Sequence, residues 1–377
     1  MANLSSTGKK TNKAFMLLSA LGILFVLDSH IGPNFSLYLV VFPYGSFYMP
    51  MFAFISGYFF SEKHIASWNH VVAFTVRKIK GLLIPYFGWI VFYGIVTAIF
   101  RYFDILEIGN VSFIDLLHNI ATGGTSYYFN DPAWFVPLLF CVIVGYSILR
   151  KVFRNHWNHY AAMIIFVLLG AGAVALSQTD FRTHNTFMLM KIPVFLQYYH
   201  LGVLFKEKLE VHFDRWNPIL VCAAAAGVNL ILIRIYGRNI EFPLYATMDG
   251  FELNAPFLPF ITSITGIAFW LKLCKLLAPA LGQNKCLNFI SENTFFFMTH
   301  HLAIKHIWLG ALITLHNAGI NILPGVDISQ YRKYAWYVYS GSFLQSSLCL
   351  LFTITALICL CRIYLTLKNA ILSSAEH

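Results

Sequence analysis

The sequence predicts an all-α bundle of about ten membrane-spanning helices with both termini cytoplasmic, and three observations carry that expectation. Of 377 residues, 58% are hydrophobic and only 11% charged, with a mean hydropathy of +0.66, so water is not the main solvent of this chain. Apolar runs of about 20 residues, enough to cross a hydrocarbon core, recur from Ala14 to Ile363 with short polar connections between them. The cations alternate with the runs. If the N-terminus is inside, eighteen of the 26 Lys and Arg fall in inner segments, as the positive-inside rule requires. An even number of spans follows. The formal charge of +10 then reflects topology and anionic headgroups rather than nucleic-acid binding.

Taken in order, the expected spans are 14–31, 35–60, 81–103, 133–150, 158–178, 187–205, 216–236, 255–274, 288–312 and 337–362. The first follows Lys9, Lys10 and Lys13 and so looks like a secretory signal; it lacks a small-residue cleavage site, which favours an uncleaved first helix over removal. Lys63, Arg77, Lys78 and Lys80 follow the second span, and Arg150, Lys151 and Arg154 follow the fourth. Lys206, Lys208 and Arg215 follow the sixth, Lys272, Lys275 and Lys285 the eighth, and Arg362 and Lys368 the last. The outer connections are longer and more acidic: 104–132 carries Asp104, Glu107, Asp115 and Asp131, and 237–254 carries Glu241, Asp249 and Glu252. These loops either meet an extracytoplasmic substrate or are ordinary solvated segments. Residues 1–377 form a single domain, with 1–13 and 364–377 as cytoplasmic tails. Seven scattered cysteines lack C-x-x-C spacing and argue for neither disulfide nor metal.

Polar groups at membrane depth are costly unless they face a cavity or a partner, so the histidines inside the spans carry information. His30 closes the first span in LFVLDSHIG; His200 lies in FLQYYHLG; His300, His301 and His306 cluster in FMTHHLAIKHIW. A neutral imidazole accepts a proton from a hydroxyl near neutral pH. Each, taken alone, reads first as a structural or interfacial histidine. Lys305 lies four residues after His301, on the same helical face. Asp28 is two residues from His30 and points elsewhere, whereas Asp131 is a freer partner. Ser56 and Gly57 read as packing residues that allow helices to approach closely.

Several segments in a shared order resemble acyltransferase family 3, membrane proteins that include many bacterial glycan O-acetyltransferases. ALGILFVLDSHIG resembles the family's opening helix, with His30 in the place of its histidine. PMFAFISGYFF resembles the end of the second helix, and RKIKGLLIPYFGW a basic cluster followed by a proline and an aromatic. NDPAWFVPLLF supplies Trp134, YYHLGVLFKEK an aromatic-glycine helix end, and ENTFFFMTHHLAIKH an asparagine eight residues before a histidine, Asn293 and His301. One position departs. Members often carry an arginine eleven residues before the first-helix histidine, where this chain has Ser19.

The resemblance implies transfer of an acyl group, usually acetyl, from cytoplasmic acetyl-CoA to a hydroxyl of an extracytoplasmic envelope glycan, in the inner (plasma) membrane. It makes His30 the general base, with His301 a second acid-base group or a buried hydrogen-bonding residue. Arg77, Lys78 and Lys80 are candidates for the CoA phosphates or plain positive-inside anchors; Trp134, Ser19 and Asn293 are candidate binding residues. No permanently bound cofactor or metal is expected, since no H-E-x-x-H or phosphate-binding loop occurs. Expected partners are acyl-CoA, the glycan acceptor, membrane lipids and envelope-glycan assembly machinery, with no nucleic acid. Two other readings stand beside this one, a glycan or lipid-linked glycan exporter and a noncatalytic envelope-assembly subunit.

Overall fold

The computed structural model describes residues 12–31, 47–107, 113–122, 129–183, 185–236, 248, 255–320, 328–333 and 343–374. Among them the chain forms helices and no strand. The helices are α1 (Lys13–Ile31), α2 (Tyr48–Tyr58), α3 (Trp68–Tyr102), α4 (Phe113–Thr122), α5 (Phe135–Val152), α6 (His159–Leu176) and α7 (Phe187–Arg215). They continue as α8 (Pro218–Tyr236), α9 (Leu258–Leu281), α10 (Lys285–Glu292), α11 (Thr294–Asn317), α12 (Ile328–Lys333) and α13 (Phe343–Ser374). This is a multi-pass membrane protein.

Eight helices among the described residues are long and apolar enough to cross a membrane. The two other expected spans differ for separate reasons. Of 35–60, residues 35–46 lie outside the described residues, leaving α2. The span at 288–312 is a helix pair broken at Asn293, and α11 carries His300, His301, Lys305, His306 and His316, which lower its hydropathy. Glu241, Asp249 and Glu252 lie outside the described residues.

Two boundaries are corrected. The span expected to start at 81 begins at Trp68 and runs for 35 residues. A π-helical turn at Ile79–Leu83 carries it through the basic cluster. Pro85 lacks the N–H that would reach four residues back, and a wider turn just before it absorbs the defect without ending the helix. Long basic side chains can also follow a helix through the interface by extending toward water. The sixth span likewise continues through a π turn, Phe205–Leu209, to Arg215. The acidic connection 104–132 is not only loop, since it contains α4.

Burial separates the centre from the margin: 67% of the α1 span and 72% of the α7 span are buried, against 11% of α8. The tightest crossing pairs α2 with α7. A Cβ on Gly57 would strike the Tyr199 carbonyl, and one on Gly202 the Phe54 carbonyl. Only glycine at both places lets the two backbones touch, as expected for Gly57. The start of α1 lies against the end of α9, where a Cβ on Gly282 would meet the Lys13 side chain at 2.7 Å. From there α10 and α11 run along α1, so the far end of α1 meets the middle of α11.

Candidate active site

Counting along the axes explains why two residues 271 positions apart in sequence meet. His30 lies seventeen residues beyond Lys13, about 25 Å at 1.5 Å per residue, and His301 lies sixteen residues beyond Lys285, about 24 Å. Helices starting from the same end therefore bring the two imidazoles to one depth. His30 Nδ1 is 2.6 Å from His301 Nε2, and the rings are close to parallel, 15° apart with centroids separated by 4.8 Å. Such a short nitrogen contact between nearly parallel rings is an edge-to-edge hydrogen bond, not a face-to-face stack.

Tautomers follow from the next partner. His301 Nδ1 is 3.1 Å from the Phe297 carbonyl, which can only accept, so this nitrogen carries the hydrogen. His301 Nε2 is then the acceptor in the pair, and His30 Nδ1 donates to it. The lone pair of His30 is thereby fixed on Nε2. Lys305, 1% exposed, donates from Nζ to the His30 carbonyl at 3.0 Å. No carboxylate lies within 4 Å of Lys305 among the described residues.

The neighbouring histidines of α11 have aromatic partners of their own. Tyr93 Oη is 2.6 Å from His300 Nδ1, and Trp89 stands edge-on to the His300 ring at 4.2 Å. His306 stacks on Tyr331 at 4.0 Å, and Tyr331 Oη donates to the His306 carbonyl at 3.3 Å. Burial pushes the Tyr331 phenol up to about 12, keeping it a neutral donor.

Of the residues singled out in the sequence, His30 and His301 are brought together. Arg77, Lys78 and Lys80 lie on α3, thirteen to sixteen residues before Tyr93, about 20–24 Å from the depth of the imidazoles. Arg77 and Lys80 are exposed, Lys78 is half-buried with Nζ 5.3 Å from the Phe74 ring, and no carboxylate pairs with them among the described residues. Asn293 sits at the α10–α11 break, two turns before His301, and its amide donates to the Phe289 carbonyl at 2.8 Å. Ser19 is partly buried in α1, eleven residues before His30.

Trp134 closes a short 3-10 turn, Asp131–Trp134. Lys191 Nζ lies 4.3 Å from its ring and 3.9 Å from that of Phe187, a cation on two aromatic faces. Asp131 is buried and attracts Lys191 electrostatically, so its charge has a cation to answer. His200 is structural: Nε2 donates to the His159 carbonyl at 2.9 Å, and Nδ1 accepts from Tyr146 Oη at 3.0 Å. Asp104 and Glu107, expected on an outer loop, both pair with Arg332, at 2.8 and 3.0 Å.

Sequence reasoning missed Tyr93, Trp89, Tyr331 and the Phe297 carbonyl. Tyrosines and tryptophans are too common in membrane helices to stand out, and a backbone acceptor has no residue signature. Lys191 did carry a signal, being a lone cation within the run FMLMKIPVFL.

Residues 13–362 match a family model described as an acyltransferase domain. No curated protein and no solved structure matches the chain.

Proposed function

The chain belongs to the acyltransferase family whose domain spans residues 13–362, and from that premise we propose that it is an inner-membrane O-acyltransferase with His30 as general base. The donor is an acyl-CoA, acetyl-CoA in the simplest case, supplied from the cytoplasm. The acceptor is a hydroxyl of an extracytoplasmic envelope glycan. The observation that carries this reading is the chain of contacts from the Phe297 carbonyl through His301 to His30 Nδ1, which gives His30 a defined tautomer with its lone pair on Nε2.

In the reaction, His30 Nε2 takes the proton of the acceptor hydroxyl as its oxygen attacks the thioester carbon. A tetrahedral oxyanion forms. Lys305 Nζ, a hydrogen-bond donor in either protonation state, already bonds the His30 carbonyl and has further hydrogens for that oxygen. Collapse breaks the carbon–sulfur bond, the thiolate takes the proton back from His30, and the acylated hydroxyl and CoA leave. His301 acts through His30, holding its ring and its tautomer. Arg77, Lys78 and Lys80 take the CoA phosphates, an assignment supported by the lack of carboxylate partners among the described residues. Their axial separation from His30 is bridged by the extended arm of the donor. Ser19, Trp134 and Asn293 are left without a step: a hydroxyl, an indole occupied by Lys191 and a helix-junction amide support positioning at most.

The test is transfer of radiolabelled acetyl from acetyl-CoA to envelope glycan in membranes bearing wild type, His30→Ala or Ser19→Arg. Labelling by wild type and its loss in a correctly inserted His30→Ala protein supports the proposal. Failure of inserted wild type across a broad acceptor panel, with acetyl-, butanoyl- and octanoyl-CoA alike, sinks it in favour of glycan export.

A further inference from the structure

A pocket of about 360 Å³ opens beside Lys305, lined by Ile31, Lys305, Leu309, Leu312, Gln345 and Ser346 among others. Its chemistry is graded. Ile31 directly follows His30, and Lys305 holds the His30 carbonyl, so one end of the pocket lies at the amine bonded to the His30 backbone. From Lys305 the lining follows one face of α11 to Leu315, ten residues or about 15 Å. The facing wall is α13, through Gln345, Ser346, Leu348 and Cys349, and apart from the first two the lining along the way is mostly apolar. The second pocket described, at Asp214, Lys272 and Lys275, has the opposite character: its lysines are bonded to carboxylates and carbonyls of the chain itself.

We propose that this groove receives the acyl chain of the donor, and that the protein transfers medium-chain acyl groups in preference to acetyl. The inference rests on the acyltransferase reading and deepens it by naming the acyl class. A thioester carbonyl placed between His30 and Lys305 has two ends: the sulfur leads toward CoA, and the acyl carbon must lead away. The groove starts at Lys305, and beyond it the polar side chains among its described lining are Trp308 on α11 and Gln345 and Ser346 on α13. A glycan hydroxyl array would leave most of its groups unpaired there, whereas methylenes would leave water or lipid for a surface that is mostly apolar. An acetyl group fills none of it.

The experiment compares labelled acetyl-, butanoyl- and octanoyl-CoA as donors to envelope glycan in membranes holding wild type, Leu312→Trp or Leu312→Ala. The readout is the octanoyl-to-acetyl ratio of kcat/KM, which does not depend on how much of each variant folds. In wild type each added methylene should raise kcat/KM roughly fourfold, about 0.8 kcal/mol of hydrocarbon burial, until the groove is full. Leu312→Trp, which obstructs the groove, should lower the ratio at least tenfold, and Leu312→Ala should move the preference to longer chains. Transfer of acetyl but not octanoyl, or a ratio unchanged in Leu312→Trp, overturns the proposal and leaves the groove to membrane lipid, with the acyltransferase reading intact. If no donor is used at all, the acyltransferase reading itself fails and takes this inference with it.

Discussion

Lys275 and Lys305 are both largely buried lysines of the same bundle, and their surroundings differ in kind. Lys275 Nζ lies 2.7 Å from Glu210 Oε1 and 2.7 Å from Asp214 Oδ1, and Glu210 in turn accepts from Tyr58 Oη at 2.9 Å. Lys305 has a backbone carbonyl and no carboxylate within 4 Å among the described residues. The histidines divide the same way. Both ring nitrogens of His200 are committed to holding α5, α6 and α7 together, while the bonds of His301 set the tautomer of another imidazole. Charge that is answered within the chain holds helices in register. Charge or basicity that is aimed rather than neutralised is costly in a membrane interior and marks a candidate functional site.

The sharpest way to break this comparison is to remove the base. His30→Ala should lower transfer by about 10²–10⁴-fold, the range for general base catalysis, with normal membrane insertion, as read by acetyl transfer per inserted protein. Lys305→Met comes next, with a loss of about 10²–10³-fold in kcat, the effect of deleting one oxyanion donor. If Lys305 were instead a structural cation like Lys275, that variant would lose thermal stability in detergent and keep its kcat. His301→Ala should cost less, roughly tenfold to a hundredfold by analogy with partners that orient a ligand or base, and exchanging it for asparagine or glutamine should recover part of the loss. The smallest catalytic effect belongs to Lys275→Met and His200→Ala. Each should lower the unfolding midpoint, a loss of about 1–3 kcal/mol for an orphaned buried partner, while kcat per folded molecule stays near wild type. A drop in kcat there would erase the distinction between the two regions.

The architecture was legible where hydrophobicity alone decides it. The apolar runs at 14–31, 158–178 and 216–236 became α1, α6 and α8 within about three residues, an agreement within the usual boundary scatter. Reading failed where polar residues lie inside a helix. RKIKG looked like a helix start and is the middle of α3, because a π turn and snorkelling side chains allow a helix to continue through a basic segment. ENTF looked like the interior of a span and is a junction, because the Asn293 side chain bonds the Phe289 carbonyl where the α10 helix ends.

The site divides along the same line. Composition and the order of motifs were enough to determine a membrane helix bundle, its family and His30 and His301 as separate candidates, because burial in lipid leaves a strong one-dimensional signature and costly polar residues stand out against it. What only the tertiary structure decided is which polar groups share a depth. Two imidazoles 271 positions apart meet through helix lengths measured from a common end. The tautomer of one is set by a backbone carbonyl, and an amine has no carboxylate partner among the described residues and lies beside a mostly apolar groove. Those relations depend on axial rise and on helix packing between distant segments, and neither is encoded in any local stretch of the chain.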